Sequence, residues 1–434
     1  MLSLEDIPGF FAEKSQLNLE DYVLLKYLFE TDQDPRLAAA SLCSEQSTAQ
    51  WKRPGREEDL RGRFGAKVVE LNELKEGQSG VRSQESGGGK NPNHRKIQVT
   101  IAHPHHNFGS RLPNLLSAAA GEGPFYCPGI ETIKWIDLEL PSTFLRSFEG
   151  PQFGLKGLRK NLKVHDRPFF IGVVKPNIGL KPGEFAELAY LSWVGGLDIA
   201  KDDEMLGDME WSPLTTRAQV AGQARLKAER ESGHPKMYLA SITDEVDRLI
   251  PLHDQAVEGG ANAVMVNGVF TGFSALRHLR KKARVPLMSH FTGTAIFSRL
   301  PDFGISSLVA TKIQRLAGAD MIGLAGFGER MKCPDEEVAA NIQACLDPWG
   351  PIAAALPIPG GSDWAGTLPK VFQKVGHTDF GFISGRGIFG HPAGPTAGAM
   401  SLVEAWEAVK RGVPLDSYAK DHEALKVALE TFGG

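Results

Sequence analysis

A chain of 434 residues is longer than one average domain and can bury a large core. Its 42% hydrophobic and 23% charged residues are ordinary for a globular protein, and a net charge of −4 leaves no electrostatic footprint for nucleic acid or an anionic membrane. No apolar run is long enough to span a bilayer, the opening residues lack the basic and apolar segments of a signal peptide, and Cys43, Cys127, Cys333 and Cys345 have neither metal-site nor disulfide-framework spacing, so a cytoplasmic setting with reduced thiols is expected.

In chain order, residues 22–29 and 67–74 predict strands and 35–43 predicts a helix carrying Ala38, Ala39, Ala40 and Leu42. The polar, Gly-rich stretch 76–93 predicts a solvated loop, because no apolar strand feeds Gly87-Gly88-Gly89 and no helix leaves it. A strand resumes at 97–101, and strands mixed with few helices predict a small α+β domain. From about Pro168 short apolar runs alternate with amphipathic stretches. The runs are 169–174, 197–201, 237–242, 263–266, 286–289, 321–324, 353–357 and 380–383, and helical stretches lie at 184–193, 216–229, 248–258, 336–345 and 397–410. Continuous apolar strands are those of a parallel sheet buried on both faces, and about eight strand–helix units fill one (β/α)8 barrel. Periodicity alone leaves a doubly wound sheet open.

Barrel active sites lie where strands end. Lys175 follows the first run, where burial can lower a lysine pKa into the range of proton transfer, or where the side chain can simply reach solvent at the rim. The second run ends Lys201-Asp202-Asp203-Glu204. Strand alternation puts Lys201 and Asp203 on one face with Glu204 at the turn. Two carboxylates suit Mg2+, and a neutral Lys201 amine that took up CO2 would add a carbamate oxygen. An ion pair at a strand end fits the same residues. Pro359-Gly360-Gly361 and Gly385-Arg386-Gly387 end the seventh and eighth runs, where barrels often bind phosphate through backbone N–H groups, although turn glycines fit the same pattern. His290 ends the fifth run and faces the same mouth; the cluster His103, His105, His106 reads as an ordinary satisfied surface.

Residues 44–51, the run Val174-Lys175-Pro176-Asn177-Ile178-Gly179-Leu180, residues 195–204, Pro359-Gly360-Gly361 and residues 385–392 together resemble the RuBisCO large-chain superfamily, in its order and across nearly the whole chain. The resemblance implies an α/β protein: an N-terminal α+β, ferredoxin-like domain over 1–147, then a C-terminal (β/α)8 TIM barrel over 148–434, in a homodimer with the active site shared between subunits. It implies Lys201 as the carbamylated lysine, with Asp203 and Glu204 as the other Mg2+ ligands. Lys175 resembles a proton-handling lysine and His290 a fifth-strand histidine. Glu45 and Trp51 resemble residues that reach into the neighbour's site, and Gly361 and Gly385 part of one phosphate site.

The departures matter as much. Asn177 stands where a carboxylase has a second lysine, Glu122 where it has a substrate-facing asparagine, Gln50 for a phosphate-binding threonine, and Arg386 for a glycine of the phosphate site. Phe291 replaces a second-phosphate arginine, with Gly323 and Pro359 beside it in that pattern, and Thr294 replaces a histidine. The loop after the sixth run, Gly326-Phe327-Gly328-Glu329-Arg330-Met331-Lys332, is shortened and altered. Phe291 cannot compensate a buried phosphate dianion, so ribulose bisphosphate is not expected to bind productively. The chain thus resembles the non-carboxylating form IV, RuBisCO-like proteins, nearest the group from phototrophic bacteria. The implied function is an Mg2+-dependent enolase, isomerase or tautomerase on a small ketone or ketose with one phosphate, in sulfur or methionine-salvage metabolism. Decarboxylation of a β-keto sugar-acid phosphate and a non-catalytic binding or regulatory role in sulfur metabolism and oxidative stress are the alternatives.

Overall fold

The computed structural model describes residues 7–49, 59–75, 94–123 and 127–433. Gln50, Trp51 and the Gly-rich stretch 76–93 lie outside them. The strands, in chain order, are β1 (Tyr22–Thr31), β2 (Lys67–Leu74), β3 (Arg95–Pro104), β4 (Thr132–Glu139), β5 (Phe169–Val173), β6 (Ile199–Lys201), β7 (Met237–Ser241), β8 (Ala263–Val266), β9 (Leu287–Ser289), β10 (Gly304–Ile305), β11 (Met321–Ala325), β12 (Leu356–Gly360) and β13 (Gly381–Ser384). The chain divides into two compact units, one running to Phe148 and joined by Thr294–Ile313, the other made of Glu149–Gly293 and Gln314–Gly434.

Among the described residues the first unit carries a mixed sheet in the order β10-β4-β1-β3-β2. β1 pairs antiparallel with β3 and β4, β2 pairs antiparallel with β3, and β10 adds in parallel to β4. The helix Pro35–Glu45 packs its alanines out of water, and its N-cap Asp34 accepts the Arg36 and Leu37 amides at 2.7 and 3.2 Å. His103 belongs to this core and not to the surface expected of it: it is 1% exposed, and Nε2 lies 2.8 Å from the Gln46 carbonyl.

The second unit is a nearly closed barrel of eight parallel strands among the described residues, in the order β12-β11-β9-β8-β7-β6-β5-β13. Two-residue alternation decides which side chains fill it. Phe169 and Ile171, Ile199, Met237 and Leu239, Ala263 and Met265, Met288, Met321, and Leu356 and Ile358 form one interior cluster. Each large side chain so buried contributes about 1.5–3 kcal/mol. Leu155, Leu158 and Leu162 of the helix Gly154–Leu162 join that cluster at the N-terminal end of the strands. There Asp320, just before β11, accepts the Phe153, Gly154 and Leu287 amides at 2.6, 2.7 and 2.9 Å, and Asp198 grips Arg167 through two bonds of 2.5 and 2.8 Å. That face is stitched for stability, which leaves the opposite face for chemistry.

The seventh barrel strand is Leu356–Gly360, three residues later than the apolar run at 353–357 implied. The Ala353 and Ala354 carbonyls accept from Arg315 Nε and the Leu155 amide, both at 2.9 Å, and so belong to the approach loop. Leu356 donates to the Asp320 carbonyl on the β11 side. By alternation Pro357 and Pro359 turn their backbone nitrogens towards β13 and have no hydrogen to offer. That is the physical reason the ladder stays open between β12 and β13.

The same alternation sends Asp202 outward from the end of β6. It is buried and accepts from Arg217 Nε at 3.2 Å, the Tyr238 hydroxyl at 3.0 Å and the Ser241 amide at 2.9 Å. Arg217 stands in the first turn of the helix Leu214–Ser232 and also donates to the carbonyls of Ser212 and Gly207, at 2.6 and 3.1 Å. Burial works against the guanidinium charge, but the Asp202 carboxylate outweighs it and holds Arg217 protonated. Replacing only one partner strands a buried charge. Arg217→Met should cost about 3–5 kcal/mol in denaturant unfolding at neutral pH. Adding Asp202→Asn should recover part of that loss; an Arg217→Met protein within about 1 kcal/mol of wild type would contradict the role given to this pair.

Candidate active site at the barrel mouth

The interior parity of each strand carries on past its end. Phe169 and Ile171 are interior, so Lys175 faces the mouth; Ile199 is interior, so Lys201 and Asp203 follow it; Met288 is interior, so His290 does too. The structure gathers these residues. Lys201 is fully buried, with Nζ 3.5 Å from Glu204 Oε2. Lys175 Nζ donates to Asp203 Oδ2 at 2.8 Å and to Asn177 Oδ1 at 2.6 Å, while Asp203 Oδ1 accepts the Met205 amide at 3.1 Å. His290 Nε2 stands 3.5 Å from Glu204 Oε2. The Glu204 carbonyl accepts from Asn267 Nδ2 at 3.2 Å, which ties the turn after β6 to the end of β8.

Burial dominates the electrostatics. It lowers the Lys201 pKa against the pull of Glu204 and Asp203, and so favours a neutral amine. Burial pushes His290 down to about 3, against Asp203. The backbone N–H of Thr292 donates to His290 Nδ1 at 3.2 Å, with the Thr292 hydroxyl 2.6 Å from the same nitrogen. An N–H can only donate, so the ring proton sits on Nε2, turned towards Glu204.

A divalent cation fits these residues. Asp203 and Glu204 present two carboxylates, and each carboxylate oxygen can accept more than one bond, so ligation is compatible with the Lys175 contact. Lys201, buried with Nζ 3.5 Å from Glu204 Oε2, is the side chain among them that could take up CO2. A further group on the first unit, Asp32, His94 and Glu131, brings ligand atoms within 4.8 Å of one another, but it is exposed.

The glycines that the sequence suggests as an anion cradle lie on the same face. Gly360 ends β12 and contacts Gly326 after β11, the Gly326 amide donating to the Gly360 carbonyl at 3.0 Å. A Cβ on Gly385 would sit 3.0 Å from Lys175 Cε, so these glycines adjoin the lysine cluster. Arg386 is exposed, with its guanidinium 5.6 Å from the Phe432 ring centroid. Arg330 donates to the Ser362 hydroxyl. Phe291 stacks on His290, centroids 4.7 Å apart, and a Cβ on Gly323 would come within 3.2 Å of its ring. Glu45 closes the helix Pro35–Glu45, Glu122 is exposed, and both belong to the first unit, as does Thr294. Sequence reasoning missed Asp202 with Arg217, Thr292 and Asp363. Only strand parity at Asp202 carried a readable signal.

Residues 154–432 match the family model described as ribulose bisphosphate carboxylase large chain, catalytic domain. The chain is 55% identical over 435 residues to a ribulose bisphosphate carboxylase-like protein of Allochromatium vinosum, covering all of this chain and 94% of that one. It is 33% identical over 414 residues to a 3-oxo-isoapionate-4-phosphate decarboxylase of Rhizobium rhizogenes, covering 94% and 98%. In structure it resembles the octameric ribulose-1,5-bisphosphate carboxylase/oxygenase of Pyrococcus horikoshii, with a TM-score of 0.88, 30% identity, and coverage of 98% and 97%. With an N-terminal mixed sheet, an eight-stranded barrel and this site at its mouth, the chain belongs to the RuBisCO large-chain family, among its RuBisCO-like proteins.

Proposed function

We propose that this protein is an Mg2+-dependent enolase-type enzyme, an isomerase or tautomerase acting on a small ketone or ketose that carries one phosphate. The observation that carries the reading is Lys201: fully buried, its pKa lowered, and set beside Asp203 and Glu204. A neutral Lys201 amine that adds CO2 loses one proton and becomes a carbamate, which with Asp203 and Glu204 would hold the ion. When bound, Mg2+ supplies positive charge for an enolate oxygen.

The chain's own residues handle the proton. Lys175 Nζ, as the neutral amine, takes it from the carbon beside the carbonyl and returns it to the neighbouring carbon or oxygen, so the isomerisation is balanced; a carbamate on Lys201, when formed, would be the other base. Asn177 and Asp203 aim Lys175 for this. Neutral His290 offers only its Nε2 proton and acts as a hydrogen-bond donor, not a cation. The glycines after β12 and β13 take the phosphate, and Phe291 with Gly323 gives the far end an apolar wall suited to a thioether or alkyl tail. The working assembly in this reading is a homodimer, and sulfur metabolism is its setting by resemblance. The similarity to a decarboxylase of a 3-oxo sugar-acid phosphate favours one second reading, loss of CO2 from a β-keto acid through the same enolate.

Mg2+ together with bicarbonate should raise the melting temperature, since a ligand of the folded state stabilises it, and Asp203→Asn should abolish the gain. Equal responses in wild type and mutant would remove the metal site from this account. Carboxylation of ribulose bisphosphate should be absent, because of Asn177, Phe291, Thr294 and the altered loop at Arg330. Incorporation of labelled CO2 above background would overturn that expectation.

A further inference from the structure

In the reading above the anionic end of the substrate goes to the glycines after β12 and β13, and the present inference rests on that half of it. One donor there is already engaged. The Gly361 amide donates to Asp363 Oδ2 at 3.0 Å, and the Thr367 hydroxyl donates to Asp363 Oδ1 at 3.2 Å. The Ser384 hydroxyl donates to the Asp363 carbonyl at 2.6 Å, which pins this loop to the end of β13. Asp363 is 7% exposed.

Among the described residues no cation pairs with it. Lys175 is committed to Asn177 and Asp203, Arg330 to the Ser362 hydroxyl, and Arg386 lies over Phe432. The C-terminal helix Glu423–Phe432 meets the loop through an apolar contact, Phe432 on Trp364, with ring centroids 5.8 Å apart. From the loop after β11 come the Phe327 carbonyl against Gly361 and the Arg330 guanidinium, which donates to the Ser362 hydroxyl one residue from Asp363. Burial outweighs the Gly361 amide and the Thr367 hydroxyl and pushes the Asp363 carboxyl up to about 6.

A phosphate or sulfate seated at Gly361 needs the same N–H and lies against the same carboxyl. Two buried negative charges that close exclude each other. We propose that Asp363 gates the anion cradle: protonated, it donates its hydroxyl to a bound phosphate oxygen and shares the Gly361 amide; ionised, it keeps anions out. Binding of an oxyanion then takes up one proton.

Sulfate tests this directly, since it does not itself titrate across the working range. Calorimetric affinity of the full-length protein for sulfate, at constant ionic strength, should be at least about 10-fold weaker at pH 8 than at pH 5.5. In Asp363→Asn it should be equal at the two pH values and, at pH 8, tighter than wild type. Thr367→Val removes a donor to the carboxylate and should move the wild-type transition to higher pH, a readout that stands even if Asp363→Asn folds poorly. Wild-type affinity that is flat with pH, or sulfate binding to neither protein at either pH, overturns the gate. The response to Mg2+ and bicarbonate in the same samples belongs to the Lys201 cluster. Its loss would count against the metal reading, and its persistence with flat sulfate binding against Asp363 alone.

Discussion

Four consecutive polar residues leave a buried strand at the end of β6, and the geometry of everything around them follows from where each side chain can go. Alternation forces Lys201 and Asp203 inward and Asp202 outward. An outward carboxylate beneath a covering helix needs a partner, and Arg217 at the start of Leu214–Ser232 is that partner. The Arg217–Asp202 pair thus locks helix to strand and removes Asp202 from the mouth. On the interior side Lys201 faces Asp203 and Glu204, and Asp202 adds a smaller pull from behind. Had Asp202 faced the same way, its pull on the Lys201 ammonium, now the smallest of the three, would have opposed burial more strongly.

The mouth is chemically lopsided. On one side Phe291 stacks on His290 and fills the space beside Gly323, so an aromatic ring and not a cation occupies that position. On the other side the glycines after β12 and β13 let backbone and lysine approach closely, but Asp363 already holds one of their amides. Between them lies a cluster of two lysines, two carboxylates and a neutral imidazole, four of them oriented by partners: Lys175 by Asn177, Asp203 by the Met205 amide, Glu204 by the tie from Asn267 to its backbone, and His290 by Thr292. Such prior orientation is what enolate chemistry asks of a protein, because the charge that develops must meet dipoles that need not move.

Much of this was legible in the chain. Barrel strands buried on both faces are continuous apolar runs, so seven of the eight runs fell on or within about two residues of the observed strands. The exception, β12, was hidden because Ala353-Ala354-Ala355 is as apolar as a strand while Pro357 and Pro359 look unlike one. β10 was illegible for another reason: a two-residue strand has no period, and its partner β4 lies far back in the sequence. Lys175, Lys201, Asp203, Glu204 and His290 were readable because strand ends in a barrel converge. Asp363 was not, since a lone aspartate after two glycines reads as a loop residue until its hydrogen bonds are known.

The proposed chemistry needs a neutral Lys201 that can carry CO2. Carbon-13 NMR of the protein in labelled bicarbonate, with and without Mg2+, reads this without knowledge of the substrate. A carbamate resonance that rises with Mg2+ and is lost in Lys201→Arg is the predicted result. No such resonance in the wild type, or one that survives in Lys201→Arg, would contradict it.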